Sequence, residues 1–148
     1  AVTELLLMFA SRNEHVKKVI APSLQQGTWV ISDRFVDASF AYQGFGRELD
    51  LQLISQLEQL TVGDCQPDLT LWLDVTPEVG LQRASQRSEK DRIEQENQAF
   101  FTRIRDGYQH RQRQYPKRIK RLDANRSRQS VQEQINRLLA DYHHWSEP

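Results

Sequence analysis

The sequence predicts an α/β domain in which a parallel sheet is flanked by helices. Three observations predict it. Apolar stripes of helical period alternate along the chain with short apolar runs. The 148 residues amount to one domain. Strands separated by helices must cross over, which favours parallel pairing with both faces covered. The predicted order is α-β-α-β-α-α-β-α, a single domain over residues 1–148 without repeats or low-complexity tracts.

The first helix runs from Thr3 to about Leu24, with Leu5, Met8, Phe9, Val16, Val19 and Ile20 as its stripe. Gly27 ends it, and Trp29-Val30-Ile31 reads as a short buried strand running into Asp33. Residues 34–49 carry turn signals at Asp37, Gly44 and Gly46. Asp50 suits a helix N-cap before a helix with Leu53, Ile54, Leu57 and Leu60 on one face. Gly63 to Pro67 leads to a second strand, Leu69 to Val75. Thr76 and Pro77 suit the cap and first position of a helix reaching about Gln86. Residues 84–98 are polar with charges of both signs, which predicts an exposed, mobile segment. A helix resumes near Glu94 through Phe100, Phe101, Ile104 and Tyr108, and Pro116 breaks it. Arg118 to Asp123 is a weaker third strand, and Arg128 to about His144 a final amphipathic helix.

Composition narrows the function classes. Hydrophobic residues make up 38% and charged residues 27%, too apolar for intrinsic disorder. No apolar run approaches the ~18 residues of a membrane span, and no signal peptide is recognisable, so a membrane role is not expected. Cys65 is the single cysteine, which rules out an intrachain disulfide and suits a reducing compartment. Lys+Arg and Asp+Glu are both 20, yet residues 83–128 hold 14 basic against 6 acidic side chains. That end favours anions such as nucleotide phosphates. It lacks the interleaved exposed aromatics of a nucleic-acid surface, so no nucleic-acid partner is expected.

Ligands of open α/β sheets bind beyond the carboxyl ends of strands. The first predicted strand ends in Asp33 and Arg34. A carboxylate there is either a turn cap or a group facing a metal–phosphate site. Arg34 adds a planar, bidentate phosphate reader. In the following DRFVDASFAYQGFGR, Gln43 can donate to and accept from a nucleobase edge, and Tyr42 can stack on a ring or bond a sugar. Asp123-Ala124-Asn125, after the last strand, reads on chemistry alone as an ordinary turn.

SDRFVDASFAYQGFGR, with LLMFASRNEHV upstream and LWLDVTPEVGLQRA then DRIEQEN downstream, closely resembles the bacterial thymidylate kinases from roughly Glu4 to Leu139. The resemblance implies the P-loop nucleoside-monophosphate-kinase fold and transfer of the γ-phosphate of ATP to dTMP, with Mg²⁺, in a cytoplasmic homodimer. It places Arg12 at the thymine carbonyl and Ser39 and Gln43 at the N3–O4 edge. Met8 or Phe9 would cover the base, since many members have a stacking phenylalanine where Met8 stands. Arg34 falls on the dTMP phosphate, and Asp33 near that phosphate and, indirectly, the metal. Tyr42 crowds the 2′ position of the sugar. Arg83, Arg87 and Arg92 bracket a lid at about 84–96, with Arg87 in the arginine-finger position. Asp123, Ala124 and Asn125 resemble the loop that lines adenine.

One family signature is missing from the sequence. None of the six glycines opens a GxxxxGK[ST] phosphate cradle. The resemblance would put that cradle, and a strand lying between those that end at Asp33 and Asp74, ahead of Ala1. The acidic segment that supplies a further dTMP contact is missing too. These 148 residues alone are therefore expected to be inactive, and the alternative is a truncated, non-catalytic paralogue that binds dTMP or a partner chain.

Overall fold

A computed structural model of the chain describes residues 1–85 and 97–143. The first predicted helix is continuous in path but changes pitch. Helix α1, Val2–His15, passes through a π-helical turn at Val16–Ile20 into α2, Ala21–Gln25. Pro22 has no N–H to donate, and its ring crowds the carbonyl four residues back. The Ala21 N–H bonds instead to the Val16 carbonyl, five back, so the turn widens just ahead of the proline.

The predicted strand at Trp29–Ile31 is not a strand. Trp29 is 61% and Ile31 94% exposed, and only Val30 packs against the core. An apolar run becomes a strand where a neighbour takes its backbone groups. No described strand lies beside it.

Residues 34–49, which carry turn signals and read as one loop or short helix, are mostly helix. Helix α3, Val36–Ser39, continues into a π-helix, Phe40–Gly46. Gly44 and Gly46 serve close packing there rather than turns. A Cβ on Gly44 would sit 2.5 Å from Leu51 Cδ2, and one on Gly46 2.8 Å from Phe100 Cε2. Helix α4, Leu51–Thr61, begins as predicted, with the Asp50 carboxylate accepting from the Gln52 N–H at 2.9 Å. Its Ile54 is fully buried, but Leu60 points to solvent, and Val62 fills the core beyond the helix end.

Strand β1, Thr70–Asp74, leads to α5, Pro77–Ser85, and α6, Gln98–Gln114. The Asn97 side chain caps α6 on the Phe100 N–H. Strand β2, Ile119–Asp123, then pairs in parallel with β1, Thr70 opposite Ile119 and Asp74 opposite Asp123. Helix α7, Arg128–His143, closes the described chain. The parallel pairing and the helix–strand order from residue 51 onward follow the sequence-based expectation, whereas the first predicted strand is absent from the described residues.

Two apolar clusters hold these elements. The larger joins Leu5 and Phe9 of α1 to Val36, Phe40 and Ile54. The smaller joins Ala41 to Phe100 and Ile104 of α6, with Tyr42 and Tyr108 against it. The second cluster depends on Gly107, because a Cβ there would lie 2.8 Å from the Ala41 Cα. Gly107→Ala is expected to lower stability. Overpacking against backbone costs about 1–3 kcal/mol, more than the ~1 kcal/mol that alanine contributes through helix propensity. A urea midpoint at or above that of the wild type would disprove it.

Candidate functional site

The end of α1 and the segment 31–35 form an open cavity of about 610 Å³. Met8, Arg12, Asp33 and Arg34 line it, together with Ser11, His15, Ile31 and Phe35. Four of the residues singled out from sequence are thus brought to one wall. Helical spacing explains two of them: Met8 and Arg12 are one turn apart on α1. Phe9, the next residue, points the other way and is 1% exposed inside the main core. The structure therefore puts Met8 in the cavity and Phe9 behind it.

Arg12 is held in place from three directions. Its guanidinium carbon lies 4.7 Å above the Phe9 ring and 5.4 Å from the Phe35 ring. Its Nη2 donates to the Phe35 carbonyl at 3.3 Å. Burial lowers its pKa below the ordinary arginine value, an effect that the charge of Glu58 partly offsets. Nη1 is buried without a partner.

Arg34 has φ of +63°, in the left-handed region. A non-glycine residue there costs of order 1–3 kcal/mol unless its surroundings enforce it, and such strain clusters at functional sites. The Ser32 hydroxyl donates to the Arg34 carbonyl at 3.2 Å. The Arg34 guanidinium stacks 4.7 Å over the Tyr42 ring. Tyr42 meets Phe100 and Tyr108 edge-on at 6.5 and 6.4 Å. Tyr108 in turn stacks on Trp72 of β1 at 6.0 Å. Burial pushes the Tyr108 hydroxyl well above its ordinary pKa, so it stays neutral. From sequence Tyr108 read only as one more member of an apolar stripe, and nothing in its spacing marked it out.

Ser39 and Gln43 sit in the helical segment that follows residues 31–35 and do not line the cavity. Ser39 is fully buried, and its hydroxyl has no partner. The Gln43 Nε2 donates to Glu4 Oε1 at 3.1 Å, while its Oε1 is buried and unpartnered. Asp37, read as a turn residue, is buried in the same segment and carries the ion pairs described below.

The other predicted group lies at the far ends of β1 and β2. Arg83 Nη1 donates to the Ala124 carbonyl at 2.7 Å, and Nη2 to the carbonyls of Asn125 and Arg126 at 3.2 Å each. Its guanidinium thus holds the 124–126 loop. The Asp123 carboxylate accepts from the Asn125 backbone and side chain and from Arg126, which together lower its pKa. Asn125 Oδ1 accepts from the Thr76 N–H at 3.0 Å, tying the loop to the start of α5. Arg87, Arg92 and most of the 84–96 segment fall outside the described residues.

Among the described residues no three His, Cys, Asp or Glu side chains cluster to hold a metal. Asp33 is an exposed carboxylate. No described helix is long and apolar enough to cross a membrane.

A family model for thymidylate kinase matches residues 1–135. The chain is 51% identical over 137 residues to a thymidylate kinase of Ruthia magnifica, covering 93% of this chain and 67% of that protein. It is 51% identical over 140 residues to one of Nitrosospira multiformis, covering 95% and 68%. The crystal structure of thymidylate kinase from Ehrlichia chaffeensis superposes with a TM-score of 0.71 at 32% identity, covering 93% of this chain and 66% of that one. The chain thus spans about two thirds of the length of these relatives.

Proposed function

This chain belongs to the thymidylate kinase family, and on that premise we propose that its 148 residues form the dTMP-binding part of an enzyme transferring the γ-phosphate of ATP to dTMP. One observation carries the proposal. Among the described residues, Arg12 Nη1, Ser39 Oγ and Gln43 Oε1 are buried without a partner. They belong to the three residues that the family resemblance implies contact the thymine base. A buried polar group without a partner costs about 1–3 kcal/mol. Unpartnered groups on these three residues suit a site that a ligand completes. Ser39 has no exposed surface, so a base reaches its hydroxyl only after the covering side chains move.

In this reading Met8 lies against the base as a soft apolar surface. Arg34, stacked on Tyr42, presents its fork to the dTMP phosphate. Tyr42 crowds the sugar. The loop Asp123-Ala124-Asn125, held by Arg83, lines adenine, and Arg87 and Arg92 belong to the lid. Arg87 offsets charge on the phosphoryl group in flight. A lone exposed Asp33 fits Mg²⁺ only through water, which suits an ion that keeps several of its waters. When bound with ATP, Mg²⁺ neutralises charge on the phosphates. The reading includes a cytoplasmic homodimer. Val2 and Leu6, one turn apart on α1 and each about half exposed, support a paired surface.

Without a GxxxxGK[ST] in its sequence, this chain alone is proposed to bind dTMP and not phosphorylate it. Gln43→Ala is expected to weaken dTMP binding by about 1–3 kcal/mol, roughly 5- to 150-fold. Calorimetry decides the matter, and an unchanged Kd removes Gln43 from the site.

A further inference from the structure

The segment 36–46, which carries Ser39, Tyr42 and Gln43, is gripped at three points. At its start the Asp37 carboxylate, 3% exposed, accepts four hydrogen bonds. Arg111 Nε and Arg118 Nη2 donate to Oδ1 at 2.9 and 2.8 Å. Arg118 Nη1 and Thr70 Oγ1 donate to Oδ2 at 2.6 and 3.2 Å. In the middle, Ala41 rests on Gly107 of α6. At the end, Arg103 Nη2 and Nε donate to the Gly46 carbonyl at 2.9 and 3.3 Å. Glu58 completes the charge balance at Asp37 by accepting from Arg111 Nη2 at 3.5 Å.

Stability alone does not account for this cluster. Well-packed apolar side chains in place of a buried ion group are often neutral or stabilising. A carboxylate held by forked donors supplies something that an apolar contact lacks, a fixed direction. Those donors come from α6, the approach to β2 and the start of β1. Asp37 stands two residues before Ser39 and six before Gln43. Rotation of the helix about Asp37 would swing both side chains away from any ligand edge.

We propose that Asp37, held by Arg111 and Arg118, is a positioning residue that sets the rotation of segment 36–46 and so aims Ser39 and Gln43 at the pyrimidine edge. The inference rests on the dTMP reading above. Asp37 touches no substrate in it and acts through Ser39 and Gln43.

The test uses the whole 148-residue chain carrying Asp37→Asn or Arg118→Lys. Asparagine keeps the shape and removes the charge, whereas lysine keeps the charge and removes the fork. Hydrogen exchange is followed over 36–46 and over α7, and dTMP and dCMP affinities are measured by calorimetry well below each variant's Tm. Exchange is expected to rise about tenfold or more in 36–46 with α7 unchanged. The ratio of dTMP to dCMP affinity is expected to fall by about tenfold, with inorganic phosphate bound as before. Exchange that rises equally in both regions overturns the proposal. So does an affinity ratio that keeps its wild-type value in a less stable variant. Failure of both variants to fold assigns the cluster to stability and overturns it as well. Wild type that binds neither nucleotide overturns the dTMP reading together with this one, an outcome distinct from an unchanged ratio.

Discussion

Purified and supplied with ATP, dTMP and Mg²⁺, the 148-residue chain is expected to release no ADP above a no-enzyme control. Phosphoryl transfer has little covalent chemistry for the protein to perform, so catalysis is nearly all positioning and charge stabilisation. In P-loop enzymes the glycine-rich loop and its lysine supply much of both. None of the six glycines of this chain stands in such a loop. The described sheet has two strands, and Trp29 and Ile31 stand exposed where a strand was predicted. The expected effect is therefore complete loss rather than slow turnover. Joining the N-terminal segment of a thymidylate kinase ahead of Ala1 is expected to give activity, because the resemblance implies that the cradle and a further strand lie in that segment. Turnover by a monodisperse sample of the chain alone would imply a phosphate cradle of another kind.

The second large effect is on stability. Asp37→Ala is expected to cost about 3–5 kcal/mol, the range for breaking a buried ion pair by removing one partner. Its partners cannot escape: the side chains of Arg111 and Arg118 are 4% and 14% exposed. Asp74→Ala serves as the contrast. Asp74 is as deeply buried and bonds Arg105 and Arg121 at 2.7 Å each. Those two arginines, however, are 37% and 53% exposed and can turn to water when the carboxylate is gone. Its loss should cost distinctly less. Equal losses in urea titrations would refute the difference.

Acid should act through the same two carboxylates. Burial alone would raise both pKa values. Hydrogen bonds and charge from Arg118 and Arg111 at Asp37, and from Arg105 and Arg121 at Asp74, outweigh it, so both lie below the ordinary carboxylate value. A depressed folded-state pKa contributes stability that is present above the unfolded value of about 3.9 and lost as pH falls through the folded one. Wild type should therefore lose stability steeply below about pH 4, and Asp37→Asn less steeply.

Local chemistry was legible in the sequence because it depends on near neighbours. The Asp50 cap, Pro77 at the start of α5 and the stop before Pro116 needed only a few residues of context. The apolar runs at 70–74 and 119–123 became paired strands as their composition predicted. The spacing along α1 put Met8 and Arg12 on one wall of the cavity that Asp33 and Arg34 also line. Trp29–Ile31 had the same composition as a strand and is not one, because pairing needs a neighbour and no periodicity records whether that neighbour is there. Gly44 and Gly46 looked like turns, although their lack of a side chain serves contact with Leu51 and Phe100, which are distant or unremarkable in sequence.

What only the tertiary structure decided is which groups are left over and which are spoken for. Arg83 read from sequence as one of the arginines that bracket a lid, and folding sets its guanidinium on three loop carbonyls. Asp37 looked like a turn residue until two arginines more than seventy positions away closed on it. Gln43 was a candidate by residue type and Ser39 and Arg12 through the family resemblance, and burial without partners is what the structure adds. The physical reason is common to all of these. A side chain's identity fixes what it can donate, accept or carry, whereas whether that capacity is already satisfied depends on atoms brought near by folding. The sequence by itself therefore determined the family, most of the helix positions, the two paired strands and the chemistry available, and the packing determined which apolar run is a strand and where that chemistry remains open.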